Sequence, residues 1–117
     1  MNVGEVVVEH DRDVWILSLR GEHDLATTPN LRDELERALG GDSRVVVDLS
    51  EVEFIDSTVL ASLAHGYERA KNSDPPTMAI VCPEGGVAHR LLALVGLDET
   101  IPNYGDRDGA VAALLGG

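Results

Sequence analysis

The stretch that decides the fold is "RVVVDLSEVEFIDSTVLASLAHGYERAK", residues 44–71. Its first part, "RVVVDLS", is a continuous apolar run bounded by polar residues, which is typical of a strand covered on both faces of a parallel sheet. The following "EFIDST", residues 53–58, reads as a loop. Apolar residues then recur at helical spacing, at Leu60, Leu63, Ala64, Tyr67 and Ala70. A buried strand that leads into an amphipathic helix indicates an α/β domain.

The same alternation continues on both sides of this stretch. Towards the N-terminus, "VVVEH" and "VWILSLRG" are short β-rich runs separated by "DRD", which indicates an antiparallel hairpin. Towards the C-terminus, "TMAIVC" reads as another buried strand and "TIPNY" as a weaker one. These runs predict a mixed, mostly parallel sheet of about four or five strands within one small α/β domain over residues 1–117.

About three further helices are predicted, which makes about four with the one that follows residue 57. The first has Thr28 as N-cap, Pro29 in the first helical position and Gly40-Gly41 at its end, with Leu31, Leu35, Ala38 and Leu39 buried. The next places Val87, Leu91, Leu94 and Val95 on one buried face and stops at a left-handed Gly96, with Leu97 folding back. In the last, Val111, Leu114 and Leu115 point inward.

Composition and charge exclude several classes of partner. The net charge is −12, which disfavours nucleic acid and anionic membrane surfaces and suits a partner that carries basic groups. No apolar run approaches the roughly 20 residues of a membrane span, and the N-terminus lacks the pattern of a secretory signal. We therefore expect a cytoplasmic protein without membrane insertion. Cys82 ends an apolar run and is predicted to be a buried structural thiol.

Ser57 attracts attention because of where this fold would place it. The loops "GEHD", residues 21–24, and "EFIDST" should meet at the carboxyl ends of neighbouring parallel strands. Ser57 would then open a helix, where free N–H groups and the positive end of the helix dipole favour a phosphate. The residues alone, however, favour the simpler role of a helix cap for Ser57.

The helix that follows Ser57 has an outer face with small side chains. With its apolar stripe inward, Thr58, Ala61, Ser62, His65 and Arg69 are predicted to face outward. Ala61 and Ser62 occupy positions where a solvated helix usually carries Lys or Glu. Such a low surface is suitable for close docking of another protein.

Three segments resemble those of the STAS family, the sulphate-transporter and anti-sigma-factor-antagonist domain. "VVVDLSEVEFIDST" followed by Leu60 resembles its phosphorylation-site segment, "LRGEHDLATTPNLRDEL" its Gly-Glu-x-Asp segment, and "HRLLALVGLDETI" its Leu-x-x-x-Gly-Leu segment. Together they cover nearly the whole chain in the family's order. One departure is Val59, which stands where the family usually has glycine.

The resemblance implies a free-standing anti-sigma factor antagonist. Such proteins bind an anti-sigma factor and thereby release a sigma factor. The anti-sigma factor is commonly a serine kinase with an ATP-binding fold, which phosphorylates the antagonist and ends binding until a phosphatase resets it. The resemblance places the phosphate on Ser57 and matches Asp24 to an acidic family position. The partner-binding residues are expected to be Glu22, Asp24, Asp56, Thr58, Ala61, Ser62 and His65.

Other functions remain as alternatives. A STAS subunit of a lipid-transporting ABC complex, or of a stress-signalling scaffold, would use the same helix face with a different partner. An enzyme with Ser57 as nucleophile is disfavoured, because "IDSTV" lacks a Gly-x-Ser-x-Gly elbow and His65 lies roughly 12 Å along the helix. His23 is expected to be a solvated loop residue. Neither a metal nor another cofactor is expected, because the loop acids show no ligand spacing and "PEGGVAH" lacks the Lys of a P-loop.

Overall fold

The computed structural model describes residues 4–40, 43–73 and 76–116. The strands are β1 (Glu5–Asp11), β2 (Val14–His23), β3 (Arg44–Ile55), β4 (Met78–Val81) and β5 (Asn103–Tyr104). The helices are α1 (Thr28–Leu39), α2 (Ser57–Ala70), α3 (Val87–Leu94), α4 (Leu97–Thr100) and α5 (Arg107–Leu114). This order confirms the predicted alternation of strands and helices.

The strands form a single mixed sheet in the order β1-β2-β3-β4-β5. The first pair is antiparallel, as expected for the hairpin, and the remaining three pairs are parallel. Parallel neighbours require a connection that crosses over the sheet, and α1, α2 and the α3–α4 segment provide these connections. The prediction of a small α/β domain with a mostly parallel sheet is confirmed.

Helices cover both faces of the sheet. On one face, α1, α2 and α3 bury Leu17, Leu19 and the alternate residues of the neighbouring strands. On the other face, α5 packs Ala110, Val111 and Leu114 against Val14, Ile16, Val46, Ala79 and Val81. Burial on both faces explains why the central strands are continuous apolar runs. The inward positions predicted for the last helix are also confirmed, with Leu115 partly buried at the edge of this cluster.

The two loops at the carboxyl ends of β2 and β3 are shorter than predicted. Glu22 pairs with Phe54 and His23 with Ile55, so residues 21–23 and 53–55 belong to the sheet. The N-cap of α1 is Thr27 instead of Thr28, and its side chain makes no capping hydrogen bond. The hydroxyl of Thr28 donates instead to the carbonyl oxygen of Asp24, 2.9 Å away. Gly40 caps the other end of α1, and Gly41 lies outside the described residues.

The predicted buried face of α3 is wrong except at Leu91, which is partly buried and packs against the core. Ala88 and Leu92 are buried, whereas Val87, Leu94 and Val95 are 44%, 81% and 57% exposed. This two-turn helix carries apolar residues on both sides, so periodicity alone did not determine which side meets the sheet. The predicted stop is confirmed, because Gly96 has a φ of 79° and Leu97 packs against the core as α4 begins.

An ion pair between the half-buried Arg107 and the buried Asp48 fastens α5 to the sheet. Arg107 donates from Nε to Oδ2 of Asp48 at 2.7 Å and from Nη2 to the hydroxyl of Ser18. The other oxygen of Asp48 accepts from the backbone N–H and the hydroxyl of Ser50, at 2.9 and 2.7 Å. Burial, the largest influence, would raise the pKa of Asp48, but the bonds from Ser50 and Arg107 outweigh it and hold that pKa below its ordinary value.

Cys82 is buried, as predicted, with 3% of its surface exposed. Burial, assisted by the charge of Asp98, raises the pKa of its thiol to about 11. Among the helices of residues 4–40, 43–73 and 76–116, none has the length and apolar character needed to cross a membrane.

Candidate functional site

The candidate site lies where β2 and β3 end and α1 and α2 begin. Ser57 is the first residue of α2, and its side chain is exposed. Asp56, not Ser57, caps this helix, because Oδ1 of Asp56 accepts from the N–H groups of Thr58 and Val59 at 3.0 and 3.3 Å. Within the described part of the chain, the Ser57 hydroxyl has no hydrogen-bond partner. The role of helix cap expected from the residues alone is therefore wrong for Ser57.

The Asp56 carboxylate also changes the expected environment of a phosphate at this helix end. It already occupies the N–H groups of Thr58 and Val59, which the sequence reading took to be free donors. The hydroxyl of Thr58 contributes most to holding the pKa of Asp56 below its ordinary value; burial opposes this, and the N–H groups of Val59, Thr58 and Leu25 assist. A negative charge therefore lies directly beside Ser57 at neutral pH.

A hydroxyl bridge joins the first turns of α1 and α2. The hydroxyl of Thr58 donates to Asp56, and the oxygens of Thr28 and Thr58 lie 2.9 Å apart. Because the Thr58 proton goes to Asp56, Thr28 is the donor of this bridge, and its single proton is shared between the Thr58 oxygen and the backbone oxygen of Asp24, also 2.9 Å away. The bridge fixes the β2–α1 turn relative to the helix that carries Ser57. Thr58 is half-buried, so much of its surface is engaged inside the protein.

His23 is fully buried, and the expectation of a solvated loop histidine is wrong. Its Nε2 lies 3.1 Å from two backbone oxygens, those of Glu5 and Arg20. Because carbonyl oxygens only accept, Nε2 carries the proton and donates to them. Nδ1 lies 3.0 Å from the hydroxyl of Thr27. Both ring nitrogens are occupied, so His23 holds the turn before α1 and is not free to act as a base toward Ser57.

The outer face of α2 agrees with the prediction except at Ser62. Ala61, His65 and Arg69 are exposed, whereas Ser62 is 2% exposed. The reason is that α1 packs along this side of α2. The Ser62 hydroxyl donates to the backbone oxygen of Thr58 at 2.9 Å and accepts from Nε of Arg32 at 3.1 Å. A partner therefore does not contact Ser62 directly.

Val59 is fully buried in the core beneath α2. The position at which this chain departs from the usual STAS glycine therefore points into the domain. It adds apolar contact inside the fold and no bulk to the face on which Ser57 lies.

Two exposed apolar side chains at this end of the domain were missed by the sequence analysis. Leu25 is 71% exposed and Phe54 is 46% exposed. Leu25 follows Asp24 directly, and its N–H helps to lower the pKa of Asp56. Phe54 lies two residues before that carboxylate. Exposed apolar residues beside the acids Glu22 and Asp24 are the composition of a protein-docking surface. The available signal was that Phe54 lies within the predicted loop 53–58 and that Leu25 directly follows the predicted loop 21–24.

The described residues contain no group of three or more His, Cys, Asp or Glu side chains that could hold a metal ion. Glu22 is half-buried and Asp24 is exposed, but the buried His23 is turned towards backbone oxygens. The site that the structure does assemble is an accessible hydroxyl surrounded by carboxylates and apolar side chains.

Comparisons with known proteins identify relatives of this chain. The family model described as "Mlab, STAS domain" matches residues 6–103. The anti-sigma-F factor antagonist RsfB of Mycobacterium tuberculosis is 32% identical over 113 residues, which cover 96% of this chain and 90% of RsfB. An anti-sigma F factor antagonist of Paenibacillus polymyxa is 30% identical over 94% of each chain. The crystal structure of an anti-sigma factor antagonist from Mycobacterium paratuberculosis has a TM-score of 0.84 and 33% identity, covering 96% of this chain and 94% of that one.

Proposed function

Because the chain belongs to the STAS domain family and is homologous to anti-sigma factor antagonists, we propose that it is a partner-switching regulator. It binds an anti-sigma factor in the cytoplasm. The sigma factor that the anti-sigma factor had held is thereby released. The observation that carries the proposal is the position of Ser57, exposed on the first turn of α2 while Asp56 performs the capping. The serine is thereby free of a structural task and available for modification.

Ser57 is the proposed phosphoacceptor of an anti-sigma factor that is also a serine kinase. Its Oγ attacks the γ-phosphorus of ATP held by the kinase and transfers its proton to a base of the kinase, while the bond from the γ-phosphorus to ADP breaks and ADP leaves. The new group carries about −1.5 to −2 charge at pH 7. Hydrolysis of the serine phosphate by a phosphatase restores the hydroxyl and the original affinity.

The structure suggests why the phosphate would end binding. Asp56 already holds the N–H groups of Thr58 and Val59, so a phosphate on Ser57 is not drawn into the helix end. It would remain on the outer face, next to the charged Asp56 and near Asp24 of the adjacent turn. A partner that docks there meets both added bulk and added negative charge. A coupling of about 1–3 kcal/mol, or roughly 5–150-fold in affinity, is enough to exchange partners.

We define the docking surface as the exposed or half-buried residues around Ser57: Glu22, Asp24, Leu25, Phe54, Asp56, Ser57, Thr58, Ala61 and His65. Its acids complement basic groups on the anti-sigma factor, and this complementarity increases the association rate and the specificity. Leu25 and Phe54 provide apolar anchors of the kind that dominate binding energies. Ser62, which is buried, supports this surface from behind.

Two measurements test the proposal. Incubation with the kinase of the same organism and ATP should add one phosphate by mass spectrometry, and Ser57→Ala should abolish it while Thr58→Ala retains it. Calorimetry should show that Ser57→Ala binds the unphosphorylated partner as well as wild type, and that Ser57→Glu binds more weakly. Phosphate on the Ser57→Ala protein would contradict the assignment. Copurification with transporter subunits in place of an anti-sigma factor would contradict the proposed partner.

A further inference from the structure

A groove runs between α1 and α2 beside the docking surface. It has a volume of about 470 Å³ and is lined by Arg32, Leu35 and Leu39 of α1 and by Ala61, His65 and Gly66 of α2, among others. Leu35 and Gly66 are buried and make its floor apolar. Because Ala61 and His65 belong both to the groove and to the docking surface, a partner seated on one reaches the other.

Arg32 is held at the edge of this groove without a carboxylate. Its Nε donates to Ser62, which is itself fixed by its bond to the backbone oxygen of Thr58. No Asp or Glu of residues 4–40, 43–73 and 76–116 forms an ion pair with Arg32, although the chain contains 21 acids. In contrast, Glu36 at the groove is neutralised by Arg69 at 2.6 Å. The groove thus presents an oriented, unpaired guanidinium in a strongly acidic protein.

The local charge of the groove is the opposite of the charge around Ser57. Glu22, Asp24 and Asp56 favour basic groups of a partner, whereas Arg32 favours an anion. A guanidinium binds a carboxylate through two parallel N–H bonds, and Ser62 leaves the two Nη groups of Arg32 available for this. The apolar floor accommodates an aliphatic or aromatic side chain next to that carboxylate.

We propose that the α1–α2 groove is a specificity-determining subsite for the anti-sigma factor. It receives an apolar side chain of that partner, and a neighbouring Asp or Glu of the partner pairs with Arg32. The inference rests on the proposed function and adds one acidic contact to an otherwise basic partner face. A partner without the acid would leave the guanidinium facing basic groups, so the subsite rejects it and fixes the docking register.

Charge reversal at two positions of α1 tests the subsite. The probe is the purified anti-sigma factor of the same organism, measured by calorimetry against unphosphorylated protein. Arg32→Glu should weaken binding about tenfold or more, because it opposes the partner's acid. The matched control Arg37→Glu makes the same change outside the groove, where Arg37 forms an ion pair with Glu34 at 3.2 Å. It should leave affinity unchanged or slightly increased, since the remaining partner face is basic.

Two further variants separate binding from folding. Arg32→Lys keeps the charge but loses the two-pronged geometry, and we expect about a threefold loss. If thermal melts show that Arg32→Glu is unfolded, Arg32→Gln replaces it in the binding measurement. Arg32→Gln should also weaken binding. In the partner, replacing the contacting acid by Arg should restore the affinity of Arg32→Glu, a result that a purely structural role of Arg32 would not give.

The outcomes distinguish this inference from the proposed function. Equal effects of Arg32→Glu and Arg37→Glu would overturn the subsite, while a weaker Ser57→Glu complex in the same experiment would leave the partner switch intact. Absence of binding by the wild-type protein would overturn both.

Discussion

Replacing Asp56 with Ala should destabilise the domain, whereas replacing its neighbour Ser57 with Ala should not. Oδ1 of Asp56 accepts from two N–H groups of the first turn of α2 and from the hydroxyl of Thr58. Loss of an N-cap typically costs about 1 kcal/mol, and up to about 2 kcal/mol in well-formed caps. Asp56 also stabilises the hydroxyl bridge to Thr28, so we expect the upper part of this range. The Ser57 hydroxyl has no such contact, and its removal should change the free energy of unfolding by less than about 0.5 kcal/mol.

The charge of Asp56 adds a pH dependence with a defined sign. Its pKa is lower in the folded than in the unfolded protein. The stabilisation is therefore fully present above the unfolded value, near 3.9, and is lost as pH falls through the folded value. The difference in stability between wild type and Asp56→Ala should be constant from neutral pH to about pH 5 and should narrow below about pH 4.

Urea unfolding followed by circular dichroism measures both effects, and thermal melts provide a check. For a domain of this size, about 1–2 kcal/mol corresponds to a decrease of roughly 4–10 °C in Tm. Asp56→Asn is a useful third variant, because it keeps an oxygen acceptor and loses only the charge. If Ser57→Ala costs as much as Asp56→Ala, the capping assignment is wrong and the argument that Ser57 is free for modification fails with it.

Three further predictions concern the core and the docking surface. Arg107→Met should lower the free energy of unfolding, measured in urea, by about 2–4 kcal/mol, because Asp48 is then left charged, unpaired with Arg107 and only 5% exposed. The double variant Arg107→Met/Asp48→Leu should recover most of this loss. Val59→Gly should lower the free energy of unfolding by about 2–3 kcal/mol, because it leaves a cavity in the core and glycine is a poor helix former. Phosphorylation of Ser57 should not change. An unchanged Tm would contradict the burial of Val59. Ala61→Arg should weaken binding of the anti-sigma factor in calorimetry and leave Tm unchanged, because Ala61 is exposed. Ser62→Arg should lower Tm by more than about 5 °C, because Ser62 is buried. Equal melting temperatures of the two variants would contradict this difference.

The sheet was readily predicted from the sequence because burial on both faces leaves continuous apolar runs. Residues 44–50 illustrate this, and α1 was equally clear because one polar face contrasts with one apolar stripe. In α3 that contrast is missing, since apolar residues lie on both sides, and the buried face was assigned to the wrong residues except at Leu91. Which side of such a helix meets the sheet is decided by tertiary packing, here of Ala88 and Leu92 against the core, and the apolar pattern of the helix does not contain that information.

The candidate site was only partly predictable. The position of Ser57 at the start of α2 followed from the order of strand and helix, but its release from capping depends on the side-chain direction of Asp56. Ser62 was misplaced because helical spacing put it opposite the apolar stripe, and its small side chain was then taken to suit docking of a partner. In the fold, small residues at Ser62 and Gly66 permit the close approach of α1, so they mark a contact between helices. Sequence patterns record the size of a side chain and not which neighbour requires it.

The burial of Cys82 makes the protein convenient for fluorescence studies. With a thiol pKa of about 11, only roughly one molecule in ten thousand carries the reactive thiolate at neutral pH, and the sulfur is shielded as well. Since Cys82 is the only cysteine, a second one introduced at an exposed position of α2 would be the sole target of a maleimide dye. Partner exchange could then be followed in real time by energy transfer between this dye and a second dye on the partner. The native thiol would not need to be removed from the core.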